Sequence, residues 1–280
     1  MGNYSQLWLA LLVVVALIYG LRLYFRSEYS TWESLLYLPA YLLTRLLWRV
    51  HFTNQAPEQI RGGAVLAANH RSSIDPMFIQ LAAGRRVHWM VAKEYCQNLF
   101  FGPILRALQV IPTNRTGTDI NSTKIALKYA GQNNLVGMFP EGRINITTKP
   151  LLPVRAGAAM VAVKAGVPII PIYIQGSPYL ERFSVISPFL MPARVSVTFG
   201  KPIFPNPPST PTQAVEPPSE TGSVDTGFAD FEGRRDNSRS VQYQAAELIG
   251  AWARAMVDLA GAPEFDVPVG SPSKRRENAE

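Results

Sequence analysis

The chain reads as an α/β protein: a mixed β-sheet flanked by helices, preceded by an N-terminal transmembrane helix and an amphipathic interfacial helix. Three observations predict this. Between Gly63 and Gly200, short apolar runs alternate with stretches of helical period. Two of those runs end in dense polar clusters, at residues 69–76 and 139–143. Ahead of the alternating region lies a continuous apolar stretch over residues 7–21.

That first stretch carries no charge before Arg22. A helix over residues 3–23 would cover roughly 30 Å of hydrocarbon at about 1.5 Å per residue. A cleaved signal peptide is the rival, but no Lys or Arg precedes the apolar part and no small-x-small cleavage site follows it. A buried soluble helix fits less well, because the segment is apolar on all sides. Arg22 and Arg26 follow the span, so the positive-inside rule puts the bulk of the chain on the cytoplasmic side of a membrane.

Residues 34–50 form a second apolar helix of another kind. Leu35, Leu38, Leu42, Leu43, Leu46, Leu47 and Val50 recur at steps of three and four, with Tyr37, Tyr41, Arg45, Trp48 and Arg49 on the other side. Aromatics and arginines beside a leucine face suit a helix lying in the headgroup layer. Packing on the globular domain is the alternative. A second crossing is disfavoured by Pro39 and Arg45.

The alternating region predicts strands over 64–68, 87–91, 108–111, 135–139, 168–174 and 195–199. Helices are predicted over 76–83, 94–107, 120–131 and 154–165. The domain organisation follows: membrane anchor and interfacial helix over 1–52, α/β domain over 53–204, and a Pro/Ser/Thr-rich linker over 205–238. A docking helix over 239–262 and a mobile polar tail over 263–280 complete it. In the docking helix Leu248, Trp252, Ala255, Met256 and Leu259 share a face.

Composition narrows the partners. Of 280 residues 47% are hydrophobic and the net charge is +7, which suits an anionic membrane surface or phosphorylated substrates. Nucleic acid is the weaker choice of partner, and none is expected, since no Lys/Arg stripe interleaved with aromatics and no recognisable binding module occurs. Cys96 is the single cysteine, so no intrachain disulfide forms, and it reads as a structural thiol. No Cys/His spacing suggests zinc. No feature speaks to oligomeric state.

The polar clusters carry the chemistry. His70 and Asp75 are five residues apart, which on one helix would set them roughly 140° around the axis, out of reach. They meet if His70 lies in a strand-to-helix turn and Asp75 opens the helix, as N-cap with Pro76 at N1. A histidine held by a carboxylate serves as a general base near neutral pH. The plain alternative is a helix cap with a turn before it.

With these residues stated, the chain resembles the lysophospholipid acyltransferases of the glycerolipid acyltransferase family, which includes 1-acylglycerol-3-phosphate acyltransferases. Asn69, His70 and Asp75 match the family's first motif. Ile111 to Arg115 match the second, Phe139-Pro140-Glu141-Gly142 the third, and Val167-Pro168-Ile169-Ile170-Pro171 the fourth. Arg155-Ala156-Gly157-Ala158-Ala159 matches the Gly-Ala step into a helix. The likeness runs from about Thr53 to Pro202. The third motif continues as Arg143-Ile144-Asn145, with its arginine one place earlier than in many members. It resembles the variant of 2-acylglycerophosphoethanolamine acyltransferases. The family's glycine ahead of the second motif is Gln109 here.

The resemblance implies a membrane-bound enzyme that moves a fatty acyl group from acyl-CoA or acyl carrier protein to the hydroxyl of a lysophospholipid. The simplest acceptor is 1-acylglycerol-3-phosphate. His70 removes the hydroxyl proton and Asp75 fixes its tautomer, with the substrate's own oxygen as nucleophile. Arg115 grips the acceptor phosphate, Glu141 holds the glycerol hydroxyls or orients a cation, Gly142 lets the backbone approach, and Arg143 adds a phosphate contact. Lys93 is a weaker phosphate candidate. No metal or redox cofactor is implied. Two alternatives stay open: a lysophosphatidylethanolamine or other lysophospholipid acceptor, and a non-enzymatic membrane-tethered lipid-binding protein.

Overall fold

The computed structural model describes Trp8, Val14 and residues 39–114, 119–179, 186–206 and 227–270. Nine strands are named: β1 (His51–Phe52), β2 (Ala64–Ala68), β3 (Val87–Ala92), β4 (Ile111–Thr113), β5 (Leu135–Met138), β6 (Val154–Arg155), β7 (Ile169–Gln175), β8 (Ser196–Phe199) and β9 (Val269–Gly270). The helices are α1 (Asp75–Ala83), α2 (Lys93–Cys96), α3 (Phe101–Ala107), α4 (Ile120–Gly131), α5 (Gly157–Ala165) and α6 (Gly227–Leu259).

Seven strands form one sheet in the order β1-β8-β7-β2-β5-β3-β4, and β6 pairs with β9 apart from it. From β7 to β4 all neighbours are parallel, while β8 runs antiparallel to β7 and β1 parallel to β8. The sheet is therefore mixed. All five residues of β2 are buried, as expected of a strand covered on both faces. Its alternate residues feed two cores. Val65 and Ala67 pack with Ala126 of α4, Val161 of α5, and Trp252 and Met256 of α6. Ala64, Leu66 and Ala68 pack with Trp48, Phe78 and Ile79 on the other face. Each fully buried Val, Leu or Ile contributes roughly 1.5–3 kcal/mol.

The helix over 120–131 has the bounds expected, because Asp119 caps it by accepting the Ser122 N–H at 3.0 Å. Several expectations need correction. The strand expected over 108–111 begins at Ile111, since Leu108 caps α3 and Gln109 takes a positive φ of 52°. The helix expected over 94–107 is two pieces. Val154 and Arg155 belong to a strand and not to the helix that follows, because residues 269–270 pair with them. For the same reason the tail expected from residue 263 begins with an ordered segment. The linker expected over 205–238 is shorter, because α6 starts at Gly227.

Of the interfacial helix, residues 39–50 are described. Trp48 is not on a headgroup face. It is fully buried, its indole N–H donates to the Pro188 carbonyl at 2.9 Å, and its ring meets Phe78 edge-on. The Trp48 N–H donates to the carbonyl of Leu43, five residues back, so the last turn widens and rotates the ring inward. Leu42 and Leu46 stay exposed. The expected spanning helix over 3–23 lies outside the described residues apart from Trp8 and Val14. Among the described residues no helix is long and apolar enough to cross a membrane.

Candidate active site

β2 ends at Ala68, in the middle of the sheet, and the chain turns through residues 69–74 into α1. Asn69 locks the turn's start: its buried side-chain amide donates to the Ile174 carbonyl at 2.8 Å and accepts the Ile174 N–H at 2.7 Å. The end of β2 is thereby fastened to β7.

His70 and Asp75 meet across this turn. The His70 Nδ1 lies 3.0 Å from Asp75 Oδ2. The same oxygen accepts the N–H of Arg71 at 2.6 Å and of Ser72 at 2.7 Å, and Asp75 Oδ1 accepts the Ser177 hydroxyl at 2.7 Å. Three donors besides the ring mark this carboxyl as an acceptor, so Nδ1 carries the proton and Nε2 keeps its lone pair. Asp75 is fully buried and the imidazole is 17% exposed. Asp75 is not the N-cap, as the sequence had suggested. Ile74 holds that position, and Asp75, first residue of the helix, folds its carboxyl back over the turn.

The loop after β5 closes the site from beneath. The Phe139 ring stacks on the imidazole, with centroids 3.9 Å apart and planes 13° apart, and on Trp89 behind it at 5.2 Å. Gly137 makes room for that stack, since a β-carbon there would come within 2.4 Å of Trp89. Glu141 is buried, and both its oxygens are occupied by backbone. Oε1 accepts the His70 N–H and Oε2 the Leu152 N–H, each at 2.8 Å. Burial pushes the Glu141 carboxyl above its ordinary range, outweighing the lowering by these two N–H groups.

Glu141 thus holds the backbone under the histidine and at Leu152. Gly142 sits in the left-handed region at φ 67°, where its N–H closes a turn onto the Phe139 carbonyl at 2.9 Å. Arg143 is exposed at the tip, and Lys93 is exposed at the first residue of α2. Arg115 lies outside the described residues.

Three residues were missed as site components. Ser177, on the far side of β7, has no local signal in the sequence. Arg71 donates to the carbonyls of Asn145, Thr147 and Lys149 at 2.7–3.1 Å, and so folds the 142–150 loop. Arg155 places its guanidinium over Gly142, where a β-carbon would meet it at 3.6 Å. It stood in the helix-entry motif, which gave it no role. A cleft of about 490 Å³ is lined by residues including Arg71, Thr147, Ser177 and Tyr179, and by neither His70 nor Asp75. Cys96 is buried, and burial pushes its thiol up, in keeping with a structural thiol.

Residues 48–175 match the Acyltransferase family. Among curated relatives, the 1-acyl-sn-glycerol-3-phosphate acyltransferase of Bacillus subtilis is 30% identical over 117 residues, 41% of this chain and 56% of that protein. The protein of the same name from Haemophilus influenzae is 31% identical over 112 residues, 39% of this chain and 46% of its own. The chain thus spans about half the length of the curated relatives it matches. A solved structure, the 1-acyl-sn-glycerophosphate (LPA) acyltransferase PlsC from Thermotoga maritima, is similar with a TM-score of 0.49 and 20% identity. That likeness covers 82% of this chain and 88% of that one.

Proposed function

We propose that this chain is a membrane-bound acyltransferase that moves a fatty acyl group from acyl-CoA or acyl carrier protein to the free hydroxyl of a lysophospholipid. The acceptor is 1-acylglycerol-3-phosphate and the product phosphatidate. One observation carries the reading: the 3.0 Å contact between His70 Nδ1 and an Asp75 carboxyl that accepts three other hydrogen bonds, which leaves Nε2 as the base. The names of the relatives agree with it.

The step is acyl transfer. Nε2 takes the acceptor's hydroxyl proton as its oxygen attacks the thioester carbon. The C–S bond breaks as the tetrahedral intermediate collapses, and the imidazolium returns the proton to the leaving thiolate. Asp75 favours the imidazolium that forms. The chemistry calls for no metal or redox cofactor. Arg115, Arg143 and Arg155 supply guanidinium groups for the acceptor phosphate. Residues 3–23 anchor the chain, with the domain on the cytoplasmic side.

The test is thiol release from acyl-CoA, with and without each member of a lysolipid panel. Wild type should release thiol only when acceptor is present, fastest with 1-acylglycerol-3-phosphate, and His70→Ala should lose this while keeping its fold. Preference for lysophosphatidylethanolamine would reassign the acceptor and fit the Glu141-Gly142-Arg143 string. Release without acceptor would make the protein a thioesterase, and none at all a lipid-binding protein.

A further inference from the structure

Strands β3 and β4 pair in parallel, Met90 with Ile111 through Ala92 with Thr113. The same register carried two places back would set Gln109 opposite His88. The ladder stops short of that pair, because Gln109 stands in the left-handed region at φ 52°. Gln109 lies just past α3. Its N–H donates to the Arg106 carbonyl at 3.0 Å, and the Val110 N–H donates to the Leu105 carbonyl at 3.2 Å. These two bonds close a helix end whose left-handed residue is usually glycine. The glycerolipid acyltransferases that the chain resembles carry glycine at this place, ahead of the second motif. Here a residue with a β-carbon holds the same conformation, which is unfavourable for it.

His88 meets this turn from β3. It is buried, and its Nδ1 lies 3.0 Å from the Gln109 carbonyl oxygen. A carbonyl only accepts, so Nδ1 is the donor. The imidazole takes up an oxygen that the strand ladder leaves. Tyr129 of α4 fixes the ring in place, with centroids 3.6 Å apart and planes 8° apart. The far end of β4 is held as well. The Ser122 hydroxyl donates to the Pro112 carbonyl, and the Asn114 N–H donates to Asp119 Oδ2 at 2.7 Å. The segment from Gln109 to Asn114 is thus pinned at both ends, by an imidazole and by a carboxylate. The next residue in the chain is Arg115, to which the acceptor phosphate is assigned above.

We propose that His88 is a positioning residue for the acceptor: it holds the left-handed turn at Gln109, and so sets where β4 delivers the phosphate-binding segment that follows Asn114. It acts through Gln109 and touches no substrate. The inference deepens the acceptor assignment and rests on it. The need for His88 comes from the glutamine. Glycine at 109 would adopt this conformation without strain, and the turn would then stand without the brace. The His70–Asp75 pair hangs on β2 and α1 instead, so the brace bears on acceptor binding and not on the proton transfer.

The test uses the full chain. His88→Phe keeps a ring against Tyr129 and removes the donor, His88→Asn keeps a donor near the Nδ1 position, and Gln109→Gly relieves the turn. In His88→Phe the KM for 1-acylglycerol-3-phosphate should rise about tenfold, with kcat and the KM for acyl-CoA within about twofold of wild type. His88→Asn should recover most of that loss. In a Gln109→Gly background, His88→Phe should raise the same KM by about twofold or less. Amide hydrogen exchange at Ile111, Thr113 and Asn114 needs no activity: protection should fall about tenfold in His88→Phe and return in the double variant. The proposal is overturned if His88→Phe leaves both readouts unchanged, or if its tenfold effect persists in the Gln109→Gly background. A matching loss in kcat and in the donor KM also overturns it, since that marks a general structural role. Should His88→Phe fail to fold, the double variant should fold, and failure of both overturns the proposal. A wild type that transfers no acyl group removes the enzymatic reading alone. The Kd for 1-acylglycerol-3-phosphate then replaces KM, with the same shifts expected, and no binding would overturn the proposal.

Discussion

The turn after β2 and the loop after β5 each bury a carboxylate, and their oxygens face different partners. Asp75 receives a ring nitrogen, two turn N–H groups and a serine hydroxyl. Glu141 receives two backbone N–H groups from segments that flank it in space, at His70 and Leu152. The first carboxylate acts on the imidazole, and the second acts on the main chain beneath it. Two acids in one site thus divide into one that sets a proton's position and one that sets a residue's position.

Asp75→Asn should break the first half with the largest effect. The amide removes the negative charge that favours imidazolium, and the acyl-transfer rate should fall by about 10²–10⁴-fold in a radiolabelled acyl assay. Glu141→Gln should come next, at about 10–100-fold, because an amide N–H2 then confronts one of the two backbone donors and shifts His70. Its unfolding free energy in urea should drop by about 1–3 kcal/mol. A larger rate loss at Glu141 than at Asp75 would reverse the division.

The pH dependence of stability sharpens the same contrast. Burial raises the Glu141 carboxyl, so the folded protein holds that proton more tightly than the unfolded chain. This group's contribution is most favourable below the ordinary carboxyl range. It falls as pH rises to the raised value, and is constant above it. Urea titrations from acid to neutral pH should show that decline in wild type and its loss in Glu141→Gln.

Smaller effects test the supports. Gly137→Ala forces a β-carbon into Trp89 and should cost about 1–3 kcal/mol of stability, with a fall in rate as Phe139 and the imidazole move with the indole. An unchanged rate would detach the stack from the site. Ser177→Ala removes one of Asp75's donors at a cost of about 1 kcal/mol, and should lower the rate only several-fold.

Much of this architecture was legible locally. The all-apolar run at 64–68 and the helix capped at Asp119 are encoded by neighbours in sequence, and both have the bounds expected. The meeting of His70 and Asp75 also follows from a single turn. The backbone partners of Glu141, at His70 and Leu152, were not legible because they come from a distant turn and from an ordinary apolar stretch. Ser177 reaches Asp75 from 102 residues away. Trp48 was set on the wrong face because a regular period was carried through a widened last turn. Val154 looked helical because its partner strand, at Val269–Gly270, lies within the segment taken for a mobile tail.

The most direct test is the tautomer of His70 by ¹⁵N NMR, practicable because the chain has three histidines. The neutral ring should carry its proton on Nδ1, toward Asp75, with Nε2 bare, and Asp75→Asn should disturb that preference. A neutral His70 protonated on Nε2 would leave no base facing the acceptor and would contradict the mechanism at its centre.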